Sequence, residues 1–382
     1  MNVYVRELTA ALAAAGVSCD VYTRAWRRGL APVEAVEAGV RVHHIPAGPL
    51  ESMPKESLVE LIPAFTAGVK ARMEKDEVPD LIHANYWLSG VSGHALKHEL
   101  ELPLVSTFHT LARVKAEACE DEPGQRARAE AQVVGCSDAI LASTVDEGVQ
   151  LARLYGADPA RIEIVPPGVD HHVFAPGSKA AARAELGLGA GPVLLFVGRV
   201  QRLKGADVAV RAAAALEAVG DRPTLVIVGG PSGAEGEAAL DELHKLVADH
   251  GLTDQVRFVP PQPHAHLAVY YRAADACLVP SRSESFGLVA LEAAACGTPV
   301  VAAAVGGLRS LVDHARTGFL VEGRDPAAFA AYAGEIIENP RLASEMGHNA
   351  AAQALAYRWP ITAARLRRIY ADLAVRQLVE CP

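Results

Sequence analysis

The sequence predicts an α/β protein built from two doubly wound, Rossmann-like domains. Short β-branched runs alternate with longer segments whose apolar residues recur at i, i+3 and i+4, as expected for parallel strands joined by helices. The strand-like runs are apolar almost throughout, which indicates sheets that are buried on both faces. A chain of 382 residues is too long for one ordinary core and suits two domains.

The predicted strands follow one another in chain order. In the first half they are 40–45, 80–84, 103–109, 138–143 and 161–166. In the second half they are 192–198, 224–230, 256–260, 276–280, 298–303 and 318–322. Segments such as 206–219 and 235–249 predict helices between strands, and 357–373 predicts a helix with Trp359 and Pro360 at its start.

The alternation stops at residues 165–177, VPPGVDHHVFAPG, where proline corners replace the periodic pattern. We therefore expect a first domain over 1–167, a second over 168–358, and a terminal helical segment over 359–382. Ligands of doubly wound sheets bind beyond the carboxyl ends of the strands. Two such domains are expected to face each other across a ligand-binding cleft.

The chain opens inside a helix. Residues 2–16 predict an amphipathic helix that ends at Gly16, with Val5, Leu8 and Leu12 on one side. A doubly wound domain normally starts with a strand and a glycine turn before such a helix. The first domain is therefore expected to lack its first strand, which leaves neighbouring strands with unpaired edges or a gap.

Bulk properties exclude several classes of protein. The net charge of −9 and the pI near 5.9 argue against a nucleic-acid binder. No apolar stretch reaches 18 residues and no signal peptide opens the chain, so we expect a cytoplasmic protein without a membrane span. The histidines show no zinc-binding spacing, so no metal is expected. The cysteines form no C-x-x-C pair and are expected to be reduced, buried thiols: Cys19, Cys119, Cys136, Cys277, Cys296 and Cys381.

Basic residues follow the predicted strand 192–198. Gly198 ends that strand, and Arg199, Arg202 and Lys204 come directly after it in an acidic chain. A guanidinium fork and an ammonium group at a strand end suit a phosphate group; the alternative is a solvated basic loop. A second turn, VGGPSG at 228–233, would let a ligand approach the backbone closely, although such turns also serve only to turn the chain.

The stretch SESFGLVALEA, at 283–293, contains two acids eight residues apart. Ser285 is predicted to cap a helix that begins near Gly287, and the free N–H groups at that end would bind a diphosphate. Glu284 can accept hydrogen bonds from sugar hydroxyls, and Glu292 can accept two from a ribose diol. The alternative is that both acids are solvated around a buried helix.

Polar residues also follow predicted strands in the first half. His109 and Thr110 lie at the end of strand 103–109, and Tyr86 follows strand 80–84. A lone histidine more often has a structural role. Because two such strand ends would face a cleft, contact with a ligand is an equally supported alternative. Lys55 and Arg126, taken alone, are expected to lie on the surface.

Two of these patterns resemble the retaining glycosyltransferases of family 4. They are GR-x4-KG at 198–205 and ESFGLVALEAAACGTPVVA at 284–302, whose acid pair matches the E-x7-E motif of that family. The resemblance runs through nearly the whole chain. It implies the two-domain fold called GT-B, with a final helix that crosses back onto the first domain, and transfer of a sugar from a nucleotide sugar.

Within family 4, stretches such as YWLSG at 86–90 and HTLARVK at 109–115 resemble members that transfer GlcNAc from UDP-GlcNAc to 1D-myo-inositol 3-phosphate in mycothiol biosynthesis. The match implies catalytic roles for His109, Arg199, Lys204 and Glu284. It implies an acceptor-binding set of Asn2, Lys55, Tyr86, Thr110 and Arg126, with Arg128 as a neighbouring alternative to Arg126. The implied donor-binding set is Gly198, Arg199, Lys204, Gly229, Gly230, Glu284, Ser285, Phe286, Gly287, Leu288 and Glu292.

The resemblance implies a hexosyltransferase whose partners are small molecules: a nucleotide sugar, with UDP-GlcNAc expected, and a hydroxyl acceptor. No cofactor or metal is expected, because the sequence has no D-x-D signature. The sequence leaves open whether the protein forms a homodimer. The open alternatives are a family 4 glucosyl- or mannosyltransferase, a nucleotide-sugar 2-epimerase, and a nucleotide-sugar binder without turnover. The family's opening strand and glycine-rich turn are missing before Met1, so we expect low transfer activity from this form of the chain.

Overall fold

A computed structural model describes residues 2–117, 124–216, 222–233 and 236–381. The chain divides into two compact units. The first comprises Met1–Gly168 together with Trp359–Pro382, and the second comprises Val169–Arg358. Over the described ranges, every helix is too short or too polar to cross a lipid bilayer.

The described residues form thirteen strands and fifteen α-helices. The strands of the first unit are β1 (Cys19–Arg24), β2 (Val33–Glu37), β3 (Val40–Ile45), β4 (Ile82–Asn85), β5 (Leu104–Thr107), β6 (Ala139–Ala142) and β7 (Ile162–Ile164). Those of the second unit are β8 (Val193–Val197), β9 (Thr224–Val228), β10 (Val256–Val259), β11 (Ala276–Val279), β12 (Val300–Ala303) and β13 (Gly318–Val321).

The helices alternate with these strands. In the first unit they are α1 (Asn2–Ala14), α2 (Ile62–Lys75), α3 (Trp87–Leu100), α4 (Ala112–Glu117), α5 (Gly124–Cys136) and α6 (Val145–Tyr155). The second unit has α7 (Lys179–Leu186), α8 (Ala206–Ala215), α9 (Gly236–Asp249), α10 (Leu267–Ala273), α11 (Leu288–Ala295), α12 (Leu308–Leu311), α13 (Pro326–Glu338) and α14 (Pro340–Ala354). The last helix, α15 (Trp359–Leu373), belongs to the first unit.

The strands of the first unit form two sheets. One is parallel, in the order β4-β5-β6-β7, and the other has the order β1-β3-β2, with β2 antiparallel to β3. The antiparallel β2 differs from the all-parallel prediction, and neither β1 nor β2 was predicted. All but one residue of β2 are exposed, so this strand lacks the apolar run by which buried strands are recognised.

Both sheets of the first unit are open and therefore have edge strands. Among the described strands, β1 pairs with β3 alone and β4 pairs with β5 alone. The predicted opening helix is confirmed as α1, and Gly16 follows it with a φ of 85°. Its buried face packs against α15 in one apolar cluster, which includes Tyr4, Leu8, Leu12, Trp359, Ala363, Leu366 and Tyr370.

The second unit has one parallel sheet in the order β10-β9-β8-β11-β12-β13. Consecutive residues of a strand point to opposite faces, and both faces are covered. Leu195 belongs to the apolar cluster on one face, whereas its neighbour Leu194 belongs to the cluster on the other. This confirms the doubly wound sheet with two buried faces. The chain order reverses between β8 and β11, where such folds bind ligands.

The prediction that all cysteines are free thiols is wrong for one pair. Cys136 and Cys381 form a disulfide, with Cα atoms 4.8 Å apart. The Val379 amide donates a 2.7 Å hydrogen bond to Asp138 Oδ1, which brings the C-terminal tail to the end of α5. Because 245 residues separate the two cysteines, no local pattern could reveal the pairing. Cys277 and Cys296 are free and buried, and Cys19 is free and half-buried; Cys119 lies outside the described residues.

Candidate active-site residues

The sheet of the second unit brings the loops after three neighbouring strands together. Because β8 lies between β9 and β11, the loops that follow these strands leave the same edge. The Val200 amide donates to the Gly230 carbonyl at 2.9 Å, and the Arg282 amide donates to the Leu203 carbonyl at 2.8 Å. Sequence motifs that are 30 to 90 residues apart thereby form one continuous surface.

Gly229 shows how closely these loops pack. Its φ is 154°, and a Cβ at this position would overlap the carbonyl oxygen of Gly198. Any side chain there would force the loop after β8 away from the loop after β9. Gly229 therefore has a steric reason, and the ligand contact of this turn stays a prediction.

Lys204 and Glu284 form an ion pair in this surface. Lys204 Nζ lies 2.6 Å from Glu284 Oε2, and the two side chains are 23% and 18% exposed. Ser281, which is buried, donates from Oγ to the same carboxylate oxygen at 3.2 Å. The contacts hold the ammonium group where the loops after β8 and β11 meet. The sequence analysis did not single out Ser281.

The other two basic residues of the loop are in different surroundings. Arg199 is exposed and forms no hydrogen bond or ion pair within the described part of the chain. Arg202 lies 3.5 Å from Glu242, and both side chains are largely exposed. The solvated-loop interpretation therefore fits Arg202, whereas Arg199 stays available for an anionic ligand.

The predicted cap of α11 is wrong. The N-cap residue is Gly287, with a φ of 106°, and not Ser285, which lies two positions upstream. A Cβ at Gly287 would come within 2.7 Å of Leu308 Cδ2. A left-handed turn packed against a neighbouring side chain therefore requires glycine at the cap itself. Phe286 is buried beside this turn, and Leu288 begins the helix.

Glu292 is buried, with 6% of its surface exposed. His264 Nε2 lies 2.7 Å from Oε1, and the Tyr271 hydroxyl donates to Oε2 at 2.8 Å. The alternative of two solvated acids is therefore wrong for Glu292. The sequence analysis missed His264 and Tyr271. His264 could have been found, since it follows strand β10 as the other site residues follow theirs.

In the first unit, two neighbouring strand ends carry polar residues in an uncommon conformation. Tyr86, directly after β4, has a φ of 79°, and His109, just after β5, has a φ of 61°. Non-glycine residues rarely adopt positive φ, and such strain concentrates at functional sites. His109 Nε2 lies 2.9 Å from Asn85 Oδ1, so the two strand ends are joined by their side chains.

Arg126 lies at the centre of a cationic cluster. It is 3% exposed and donates from Nε to Glu130 at 2.8 Å and from Nη2 to the Thr110 carbonyl at 2.8 Å. Its Cζ lies 5.4 Å from the centroid of the Tyr86 ring, and Lys55 Nζ lies 4.9 Å from the same centroid. Most of the predicted acceptor set, Lys55, Tyr86, Thr110 and Arg126, is thus in contact.

Two expectations for this set need correction. Arg126 does not lie on the surface, because the buried carboxylate of Glu130 compensates its charge. Arg126 contacts the Tyr86 ring, whereas Arg128 is exposed. Lys55 is exposed, as expected. Asn2 is the first residue of α1 and is exposed, and no described contact joins it to the cluster.

Arg126→Ala should destabilise the protein. The change leaves Glu130 as a buried charge without its ion-pair partner, which typically costs about 3–5 kcal/mol. We expect a clearly lower urea midpoint for the transition of the first unit, followed by circular dichroism. The matched control is Arg128→Ala, which removes an exposed guanidinium and should change stability by less than about 0.5 kcal/mol. Equal midpoints for the two variants would contradict the buried ion pair.

His109 is neutral at physiological pH. Burial, with a smaller contribution from nearby His83, lowers its pKa from 6.5 to about 3. The unfolded chain therefore binds a proton in a range where the folded chain does not. Because stability rises with pH wherever the unfolded state binds more protons, His109 makes the free energy of unfolding fall as the pH drops from 6.5 towards 3.

His109→Gln should weaken this pH dependence. Glutamine keeps a hydrogen-bonding side chain and cannot take up a proton in this range. We expect the urea midpoint of the variant to fall less between pH 7 and pH 4 than that of the wild type. Identical slopes in the two proteins would show that the imidazole is already protonated in the folded state.

Family comparisons cover nearly the whole chain. Residues 1–168 match the family described as "Glycosyl transferase 4-like domain", and residues 178–353 match "Glycosyl transferases group 1". The chain is 47% identical to the D-inositol 3-phosphate glycosyltransferase of Acidothermus cellulolyticus, over 97% of this chain and 85% of that protein. It is 46% identical to D-inositol 3-phosphate glycosyltransferase 2 of Catenulispora acidiphila, over 97% and 89%.

A solved structure agrees with these relatives. The sucrose-phosphate synthase of Thermosynechococcus elongatus superposes with a TM-score of 0.91 at 36% identity, over 97% of this chain and 93% of that chain. The two Rossmann-like units, the matched families and the identities over most of the chain lead to one assignment. The chain belongs to the family 4 glycosyltransferases of GT-B fold and is a hexosyltransferase.

Proposed function

We propose that this enzyme transfers GlcNAc from UDP-GlcNAc to 1D-myo-inositol 3-phosphate with retention of the anomeric configuration, as in mycothiol biosynthesis. The observation that carries the proposal is the cluster around Tyr86. Lys55 places an exposed ammonium group over the Tyr86 ring, and Arg126, whose charge Glu130 compensates, contacts the same ring beside Thr110. A phosphorylated acceptor fits the charge of Lys55, and the relatives include a D-inositol 3-phosphate glycosyltransferase and a sucrose-phosphate synthase.

On the donor side, the second unit would hold the nucleotide sugar. Glu292 would accept hydrogen bonds from the ribose diol, with its carboxylate oriented by His264 and Tyr271. Arg199 would bind the diphosphate with its exposed guanidinium. The N-terminus of α11, where Gly287 leaves no side chain in the way, would add backbone N–H donors.

Lys204 and Glu284 would act together. The ion pair has no net charge, so Lys204 contributes little to the long-range attraction of an anion. Glu284 instead holds the ammonium group in place before the reaction, and positioned donors are the groups that stabilise charge as it develops on a leaving diphosphate. Glu284 would also accept hydrogen bonds from the sugar hydroxyls.

On the acceptor side, the first unit would bind inositol phosphate. Within the described residues, the buried Tyr86 hydroxyl has no hydrogen-bond partner, and a hydroxyl of the acceptor would supply one. The neutral His109 would bind a substrate hydroxyl without taking part as an acid. We propose no covalent nucleophile among the described residues; the leaving phosphate would take the proton of the attacking hydroxyl. Transfer should need neither cofactor nor metal.

A second candidate donor is UDP-glucose. It corresponds to the family 4 glucosyltransferase that the sequence leaves open, and it keeps the reaction class while changing the sugar. The test is a donor panel of UDP-GlcNAc, UDP-glucose and GDP-mannose with inositol 3-phosphate, and each donor without acceptor. Product from UDP-GlcNAc alone would show a 2-epimerase, and preference for UDP-glucose would overturn the assigned donor.

Glu292→Gln should weaken UDP binding. The amide keeps the shape of the carboxylate but loses its charge, and hydrogen bonds to charged groups are worth about 1.5–3 kcal/mol. We expect the Kd for UDP, measured by calorimetry, to rise about 10-fold to 150-fold. The control Glu322→Gln changes an exposed acid paired with Arg309 in the same unit and should leave the Kd unchanged. An unaltered Kd for Glu292→Gln would remove the ribose assignment.

A further inference from the structure

We propose that the first unit contains a Cys2His2 zinc site, formed by His94, His98, Cys136 and Cys381 when the disulfide is reduced. One ligand atom from each of these residues lies within 4.8 Å of the others. Two imidazole nitrogens and two sulfurs are a ligand set that Zn²⁺ prefers. With bonds of about 2.3 Å to sulfur and about 2.0 Å to nitrogen, tetrahedral coordination needs only a small rearrangement of this cluster.

Three of the four ligands lie on helices that pack together. His94 and His98 are one turn apart on α3 and face the same side, with ring centroids 5.0 Å apart. This H-x3-H spacing is one that zinc sites use, so the expectation that the histidines show no such spacing is wrong for this pair. Cys136 is the last residue of α5, which packs along α3. A disulfide does not need neighbouring imidazoles. The convergence of two histidines on the sulfur pair is therefore what points to a metal.

A buried ion pair positions the fourth ligand. Lys97, between the two histidines in sequence, donates from Nζ to the Cys136 carbonyl and to Asp138 Oδ2, both at 2.8 Å. The other oxygen of Asp138 accepts the Val379 amide at 2.7 Å. This network joins α3, the end of α5 and the C-terminal tail, so Cys381 stays beside the site after the sulfurs separate.

The reduction is a two-electron step. A dithiol reductant breaks the bond between the two sulfurs, each of which gains a proton, while the dithiol becomes a disulfide. Zn²⁺ then replaces the two thiol protons, which are released to solvent. The site is thus available only to the reduced chain. It shares no residue with the donor and acceptor sets, so it stands independently of the proposed function.

Cobalt titration of the full-length chain tests the proposal. The chain is reduced with dithiothreitol, stripped with EDTA, and desalted without oxygen before Co²⁺ is added. We expect one Co²⁺ per chain, the visible bands of tetrahedral Co²⁺ with a thiolate charge-transfer band in the near ultraviolet, and displacement by Zn²⁺. The oxidised chain should bind none.

Variants separate the site from adventitious binding. Cys381 lies in the tail, outside every described helix and strand, so Cys381→Ser leaves the core intact. Its affinity for Co²⁺ should fall by more than the 10-fold to 100-fold loss that is typical of an outer-shell change. Cys19→Ser, which removes a thiol outside the cluster, should bind as the wild type does. Failure of the reduced chain to bind one Co²⁺, or equal binding by Cys381→Ser or by the oxidised chain, would overturn the proposal.

Discussion

Lys204→Ala should reduce kcat about 100-fold to 1,000-fold, with a smaller change in KM for the donor. Loss of one positioned donor to developing negative charge typically costs this much. The Lys204 ammonium lies 2.6 Å from Glu284, and without it that carboxylate would repel the leaving diphosphate. The loss is therefore expected in turnover, because the interaction grows as the charge develops.

Arg202→Ala is the matched control for this prediction. Arg202 belongs to the same basic loop, but its contact with Glu242 is exposed and 3.5 Å long, and exposed pairs contribute at most about 1 kcal/mol. We expect less than about a fivefold change in either parameter. Steady-state kinetics decide the matter: a raised KM with normal turnover in Lys204→Ala would make this lysine a ground-state binding residue.

Lys55→Ala should make the enzyme lose its preference for a phosphorylated acceptor. The side chain is exposed and its ammonium lies 4.9 Å from the centroid of the Tyr86 ring, so removing it should leave the fold unchanged. A hydrogen bond to a charged group is worth about 1.5–3 kcal/mol. We expect kcat/KM for inositol 3-phosphate to fall about 10-fold to 150-fold, and that for free inositol to stay constant.

The control for the acceptor prediction is Lys75→Ala, which removes an exposed lysine at the end of α2. Lys75→Ala changes the net charge by the same amount as Lys55→Ala. We expect this control to use inositol and inositol 3-phosphate at the wild-type rates. An equal loss with inositol and with its phosphate would contradict a phosphate contact at Lys55. Equal wild-type rates with the two acceptors would remove the phosphorylated substrate altogether.

The fold of the second unit could be predicted because its signals are local. The strands are buried on both faces and therefore read as continuous apolar runs, and each is followed by a turn with recognisable glycines. β2 carries no such signal, since it is exposed and is held by pairing with β3. The cap of α11 was assigned to Ser285 because serine suits that role in general, whereas packing against Leu308 selects Gly287.

The contiguous motifs predicted candidate site residues, but they did not predict the tertiary contacts between them. Glu284 and Glu292 lie in one motif, but Lys204 reaches Glu284 across 80 residues, and Tyr271 and His264 reach Glu292 from another helix and turn. Arg126 pairs with Glu130 four residues further along α5, but the burial of this pair depends on the elements that pack against the helix. The disulfide between Cys136 and Cys381 could not be predicted for the same reason, because 245 residues separate the two cysteines in the sequence.

The most direct test of the central claim is the anomeric configuration of the product. The enzyme is incubated with UDP-GlcNAc and 1D-myo-inositol 3-phosphate, and the first product is followed by proton NMR through the coupling constant of its anomeric proton. Retaining transfer to the phosphorylated acceptor predicts an α-linked GlcNAc-inositol phosphate and one UDP per linkage formed. A β-linked product, or release of UDP without any new glycosidic bond, would contradict it.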